Sequence, residues 1–65
     1  MEESMRAIIS EFEHNNRRAV IYVNNEDFEV DLFQDGKLIE CRDVSGKSIY
    51  YAEEVSENWV FGIIK

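Results

Sequence analysis

Asp27 to Asp43, DFEVDLFQDGKLIECRD, is the stretch whose reading decides the fold. Asp35-Gly36 is a two-residue hairpin signal, because primed turns need positive φ, which Asp tolerates and Gly adopts without steric cost. With that loop, Phe33 faces Leu38, Leu32 faces Ile39, Val30 faces Cys41 and Glu29 faces Arg42. Side chains alternate along a strand, so Phe28, Val30, Leu32, Ile39 and Cys41 share one apolar face. Glu29, Asp31, Glu40 and Arg42 fall on the other, solvated face. A loop one residue longer would turn Glu40 and Arg42 inward, so the apolar pattern picks the shorter one.

Working upstream, RAVIYV over residues 18–23 is rich in β-formers, and Asn24-Asn25-Glu26-Asp27 reads as a turn. A turn centred on Asn25-Glu26 sets Val23 opposite Phe28, Ile21 opposite Val30 and Ala19 opposite Leu32. Both turns thus put their apolar residues on the same face, which is the consistency expected of a real sheet.

The first segment reads differently. Met5, Ile8, Ile9 and Phe12 follow an i, i+3, i+4, i+7 stripe, which predicts an amphipathic helix over residues 2–14. Glu2 and Glu3 at its start and His14, Arg17 and Arg18 near its end suit the helix dipole. A strand from Met5 to Phe12, turning at Asn15-Asn16, is the alternative, since Ile8-Ile9 is β-branched.

Downstream, Val44 to Lys47 breaks the strand pattern and Ser48 is an N-cap candidate. Tyr51, Ala52, Val55, Trp59 and Ile63 then share a helical face, with Ile49 at its margin. Trp59 is the largest anchor, and burying an aromatic of this class is worth about 1.5–3 kcal/mol or more. Gly62 fits a C-terminal cap. The expected fold is therefore α+β, in αβββα order: a three-stranded antiparallel meander with helices packed on one face. The N-terminal helix has a fourth strand as its alternative.

Sixty-five residues make a single domain, residues 1–65, near the lower size for a self-sufficient core. Hydrophobic residues at 45% and charged residues at 32% give a globular balance, not a disordered one. Net charge is −7, and the basic residues do not cluster, which argues against direct contact with nucleic acid or anionic membrane. A single cysteine, Cys41, excludes an internal disulfide and reads as a small inward-facing apolar residue. Without an apolar run of membrane-spanning length or a leader-like N-terminus, a cytoplasmic, soluble protein is expected.

The chemistry-bearing motifs are few. The αβββα order is that of the double-stranded RNA-binding domain, whose second helix opens with lysines that grip phosphates. Here that turn is Tyr51-Ala52-Glu53-Glu54, which is acidic. Gly46-Lys47-Ser48 matches only the tail of a phosphate-binding loop and lacks its first glycine. Asp31 and Glu40 would sit side by side and, with Glu29, could hold a cation weakly. His14 has no partner at triad or ligand spacing. The chain is expected to be no enzyme, with no catalytic, cofactor or metal residues and no cofactor.

What remains are exposed aromatic and acidic residues. Tyr22, Phe33 and Leu38 point to the outer sheet face, while Tyr50, Glu53, Glu54, Glu57 and Phe61 lie on the outer side of the last helix. Apolar groups ringed by acids mark many protein-binding surfaces, and open edge strands offer a second route. The reading is a small acidic, non-catalytic protein-interaction module, with an unidentified protein partner and a homodimer as an option. The alternative is a nucleic-acid-related role, through that RNA-binding topology or by mimicry of nucleic acid.

DFEVDLFQDGKLIE followed by SIYYAEEVSENWVFGII resembles a group of short uncharacterised proteins encoded by phages of cyanobacteria. The resemblance covers roughly residues 20–64, and Tyr51-Ala52-Glu53-Glu54 and Glu57-Asn58-Trp59 carry it. It implies a small accessory protein in the host-cell cytoplasm. No activity comes with that group, so no functional residue is carried over from it.

Overall fold

The computed structural model describes residues 6–25 and 27–62. Four strands, β1 (Arg6–His14), β2 (Arg17–Asn24), β3 (Asp27–Gln34) and β4 (Lys37–Asp43), are followed by one helix, α1 (Ile49–Val60). The strands form one antiparallel sheet in the order β1-β2-β3-β4. This corrects the expected αβββα order: the described residues fold as ββββα, with a single helix among them on one face of the sheet. The topological likeness to the double-stranded RNA-binding domain falls with it.

The helix expected over residues 2–14 is strand β1 over all its described residues. Its apolar spacing was misleading because β1 carries a bulge between Ile8 and Ser10. A bulge inserts one extra residue and breaks the alternation of two, leaving a spacing of three and four that imitates a helix. Phe12 lies opposite Ala19 and packs against the core, whereas Ile8 lies opposite Tyr22 on the other face. Met5, part of the same stripe, lies outside the described residues. Asn15 and Asn25 take positive φ (57° and 63°) in the first two turns, which Asn tolerates better than most side chains.

The central pairing is the expected one: Val23 faces Phe28, Ile21 faces Val30 and Ala19 faces Leu32. The third turn has Asp35 at φ 55° and Gly36 at φ 80°, the positive pair a primed turn demands. Phe33 then faces Leu38, but a bulge shifts every later pair, so that Leu32 faces Glu40, Asp31 faces Cys41 and Val30 faces Arg42. This is a second correction. The extra residue, Ile39, moves Glu40 and Arg42 to the helix side and Cys41 to the outer side, reversing the expected faces. Cys41 and Ile39 are accordingly exposed and do not enter the core.

The core comprises Ala19, Ile21, Val30, Leu32 and Val44 from the sheet side, with Ala52, Trp59 and Val60 from the helix. Ser48 caps α1, its hydroxyl accepting from the Tyr51 amide at 3.3 Å. The buried helix line is Ala52, Ser56, Trp59 and Val60. Tyr51, expected on the core face, is exposed. Ala52 and Ser56 are small, which lets the helix backbone come close to the sheet; a tyrosine on that line would hold it off. Ser56 hides its hydroxyl by donating to the Ala52 carbonyl at 2.8 Å. The helix packs on β2 and overlaps β1 and β3, and β4 lies outside its footprint.

Candidate functional site

Charge and aromatic surface are divided between the two broad faces of the molecule. On the outer sheet face, Arg6 from β1 lies over the Tyr22 ring, its guanidinium carbon 3.8 Å from the ring centroid. The same guanidinium reaches Glu29 at 3.2 Å and Asp31 at 3.1 Å. Burial opposes the charge on Arg6, but the hydrogen bond to Asp31 and the two carboxylates outweigh it and raise its pKa. Arg18 does likewise further along: it donates to Glu11 at 2.8 Å and lies 5.4 Å from the Phe33 centroid. Beneath these side chains, Val20 and Asp31, paired across β2 and β3, are only 1% and 6% exposed.

Asp31 sits at the centre of this face. Oδ2 accepts from Arg6, while Oδ1 has no hydrogen-bond partner among the described residues. Cys41 stands directly across from it on β4, and turning the thiol toward Oδ1 supplies the missing donor. Hydrogen bonding to Asp31, then desolvation, then the charges of Asp31 and Glu29 push the Cys41 thiol up to about 11. Such a thiol is overwhelmingly protonated at neutral pH and is a poor nucleophile. The expected cation site at Asp31, Glu40 and Glu29 is not assembled, because the bulge carries Glu40 to the opposite face. Among the described residues, no group of three or more His, Cys, Asp or Glu could hold a metal ion.

The helix presents the other face. Residues 50, 54, 57 and 61 lie at i, i+4, i+7 and i+11, one line along a helix. That line is opposite the buried one through Ala52, Ser56 and Trp59. Tyr50 is 76% exposed and Phe61 50% exposed, with Glu54 and Glu57 exposed between them. Glu53 flanks the line. Among the described residues, none of these three glutamates has an ion-pair partner.

Two contacts fix the far end of this stripe. His14 packs against Phe61, with ring centroids 4.5 Å apart and the ring planes tilted by 40°. Arg17 donates to the Trp59 carbonyl at 2.8 Å and lies 4.8 Å from the Trp59 ring, so a cation meets the negative end of the helix. Gly62, at φ 77°, ends the helix by donating its amide to the Trp59 carbonyl.

The residues singled out in the sequence therefore separate into two surfaces. Tyr22, Phe33 and Leu38 are on the outer sheet face, and Tyr50, Glu53, Glu54, Glu57 and Phe61 are on the helix. The fold does not bring the two groups together. Arg6, Arg17 and Arg18 were missed as organising residues. The signal available was their strand parity: Arg17 and Arg18 are adjacent in β2, so they face opposite layers. No family model, curated protein or solved structure matches this chain. No helix among the described residues is long and apolar enough to cross a membrane.

Proposed function

We propose that this protein is a small, non-catalytic recognition module that docks the Tyr50–Glu54–Glu57–Phe61 face of α1 on a basic protein surface. The supporting observation is a contrast between the two faces. On the outer sheet face, Arg6 and Arg18 neutralise the neighbouring carboxylates and cover the Tyr22 and Phe33 rings. On the helix, two exposed aromatic side chains bracket carboxylates that form no ion pair among the described residues. Aromatic anchors supply affinity in protein interfaces, and an uncompensated charged stripe supplies steering and orientation. A helix face with aromatic anchors about three turns apart fits a groove. The resemblance to phage-encoded accessory proteins adds that the partner belongs to the infected host cell or to the phage. A nucleic-acid-binding protein, blocked by mimicry, is one member of this class of basic partners.

The test places a photo-crosslinking amino acid at Tyr50 in one variant and at Tyr22 in another, in nuclease-treated lysate. A discrete adduct with a basic protein is expected from position 50. It should weaken as salt is raised and vanish when Glu54→Lys and Glu57→Lys are added. Adducts from position 22 alone, or adducts indifferent to charge reversal, overturn the assignment.

A further inference from the structure

We infer that strand β4 is a self-pairing edge, through which two copies of this chain associate antiparallel about a twofold axis at Cys41. The occupant is picked out by backbone parity and charge together, and it is independent of the helix face. Val44 donates its amide to the Phe28 carbonyl, so residues 28 and 44 form a hydrogen-bonded pair. Such pairs alternate with non-bonded ones along an antiparallel ladder. Val30–Arg42 is then bonded, and Glu29–Asp43 and Asp31–Cys41 are not. The amides and carbonyls of Cys41 and Asp43 therefore point away from β3, out of the open edge.

Only registers that set outward-pointing residues against each other complete hydrogen bonds. A twofold axis at Arg42 would oppose Arg42 to its own copy, and an axis at Asp43 would oppose Asp43 to its own copy. An axis at Cys41 instead sets Glu40 against Arg42 of the second copy and Arg42 against Glu40. Within one chain these side chains already touch, Arg42 Nε to Glu40 Oε2 at 3.0 Å. The dimer would join two such pairs into a ring of alternating charge on the helix side, where β4 is uncovered. Cys41 would meet its copy on the outer side.

The regular part of the opposite edge, past the bulge in β1, offers no such register. In β1 the pairing with β2 leaves Glu11 and Glu13 pointing outward by the same parity. A twofold axis at residue 11, 12 or 13 places glutamate against glutamate, which is unfavourable across strands. The bulge at Ile39 ends the β4 ladder after a short run, which limits further growth of the sheet. A contact of this length is much smaller than the roughly 1,200–2,000 Å² of a stable interface, so the dimer is a weak one.

Sedimentation velocity of the full chain, from low micromolar to roughly millimolar concentration, tests this. The native chain should shift from monomer to dimer as concentration rises. Glu40→Arg alone and Arg42→Glu alone each replace two opposite-charge contacts by two repulsive ones and should weaken association by roughly tenfold or more. Mixing these two variants in equal amounts restores every pairing of opposite charge, and the double exchange does so within one chain. Both should recover the dimer. A native chain that stays monomeric, single variants that associate like the native chain, or a mixture that stays monomeric overturns the proposal. None of these outcomes depends on what the helix binds.

Discussion

Cys41 offers a quantitative check on the environment of the outer face. Its pKa is pushed from 9.0 to about 11, with hydrogen bonding to Asp31 as the largest cause, desolvation next and the charges of Asp31 and Glu29 after it. At pH 8 that two-unit rise leaves about 100-fold less thiolate than an unshifted thiol would carry. Thiolate nucleophilicity rises with pKa, with a Brønsted slope of about 0.4–0.5, which returns a factor of roughly six to ten. Attack on an aromatic disulfide reagent should therefore run about ten- to fifteenfold slower in the native protein than in the urea-unfolded chain. It should still go to completion without unfolding, because Cys41 is exposed. Asp31→Asn keeps the shape, removes the anion and should recover most of the lost rate. The folded state holds this proton more tightly than the unfolded chain, so this contribution to stability is complete below about pH 9 and is lost as pH rises toward 11. A native thiol that reacts only as fast as the protein unfolds would be a buried one and would refute the reasoning. So would a rate equal to that of the unfolded chain.

Two further substitutions probe the ends of the helix. Arg17→Ala removes the hydrogen bond to the Trp59 carbonyl and the contact with its ring, and should cost about 1–3 kcal/mol, read as a lower urea midpoint. Ser48→Ala removes the N-cap acceptor and should cost about 0.5–2 kcal/mol, with Ser48→Gly costing less, measured in the same titration.

Turn chemistry was the most legible part of this chain. Local rules placed the β2–β3 hairpin in its register and the β3–β4 turn at Asp35-Gly36, though not the β3–β4 register beyond Phe33, and Ser48 marked the start of the helix. The two errors in the sheet share one cause. Each edge strand carries one inserted residue, near Ile9 in β1 and at Ile39 in β4. A bulge has no reliable signature in a single sequence, yet it reverses the face of every residue beyond it. In β1 it turned a strand into an apparent helical stripe; in β4 it exchanged Cys41 for Glu40 and Arg42. The apolar pattern could not warn of the second reversal, because β4 lies beyond the helix and the helix side tolerates charge there. The helix stripe was partly legible. Tyr50, Glu54, Glu57 and Phe61 follow from spacing alone, but the depth of Ser56 follows only from how closely the helix approaches the sheet.

The bulge at Ile39 decides which side of the sheet presents Cys41 and which presents Glu40 and Arg42, and one NMR contact reads it directly. Non-hydrogen-bonded partners bring their Cα atoms to about 4.5 Å, so their Hα protons give a strong cross-strand NOE. The bulged register predicts that contact between Asp31 and Cys41, with another between Glu29 and Asp43. A strong contact between Asp31 and Glu40 instead would restore the unbulged hairpin, return Cys41 to the helix side, and contradict the arrangement on which the β4 edge and the Asp31 cluster depend.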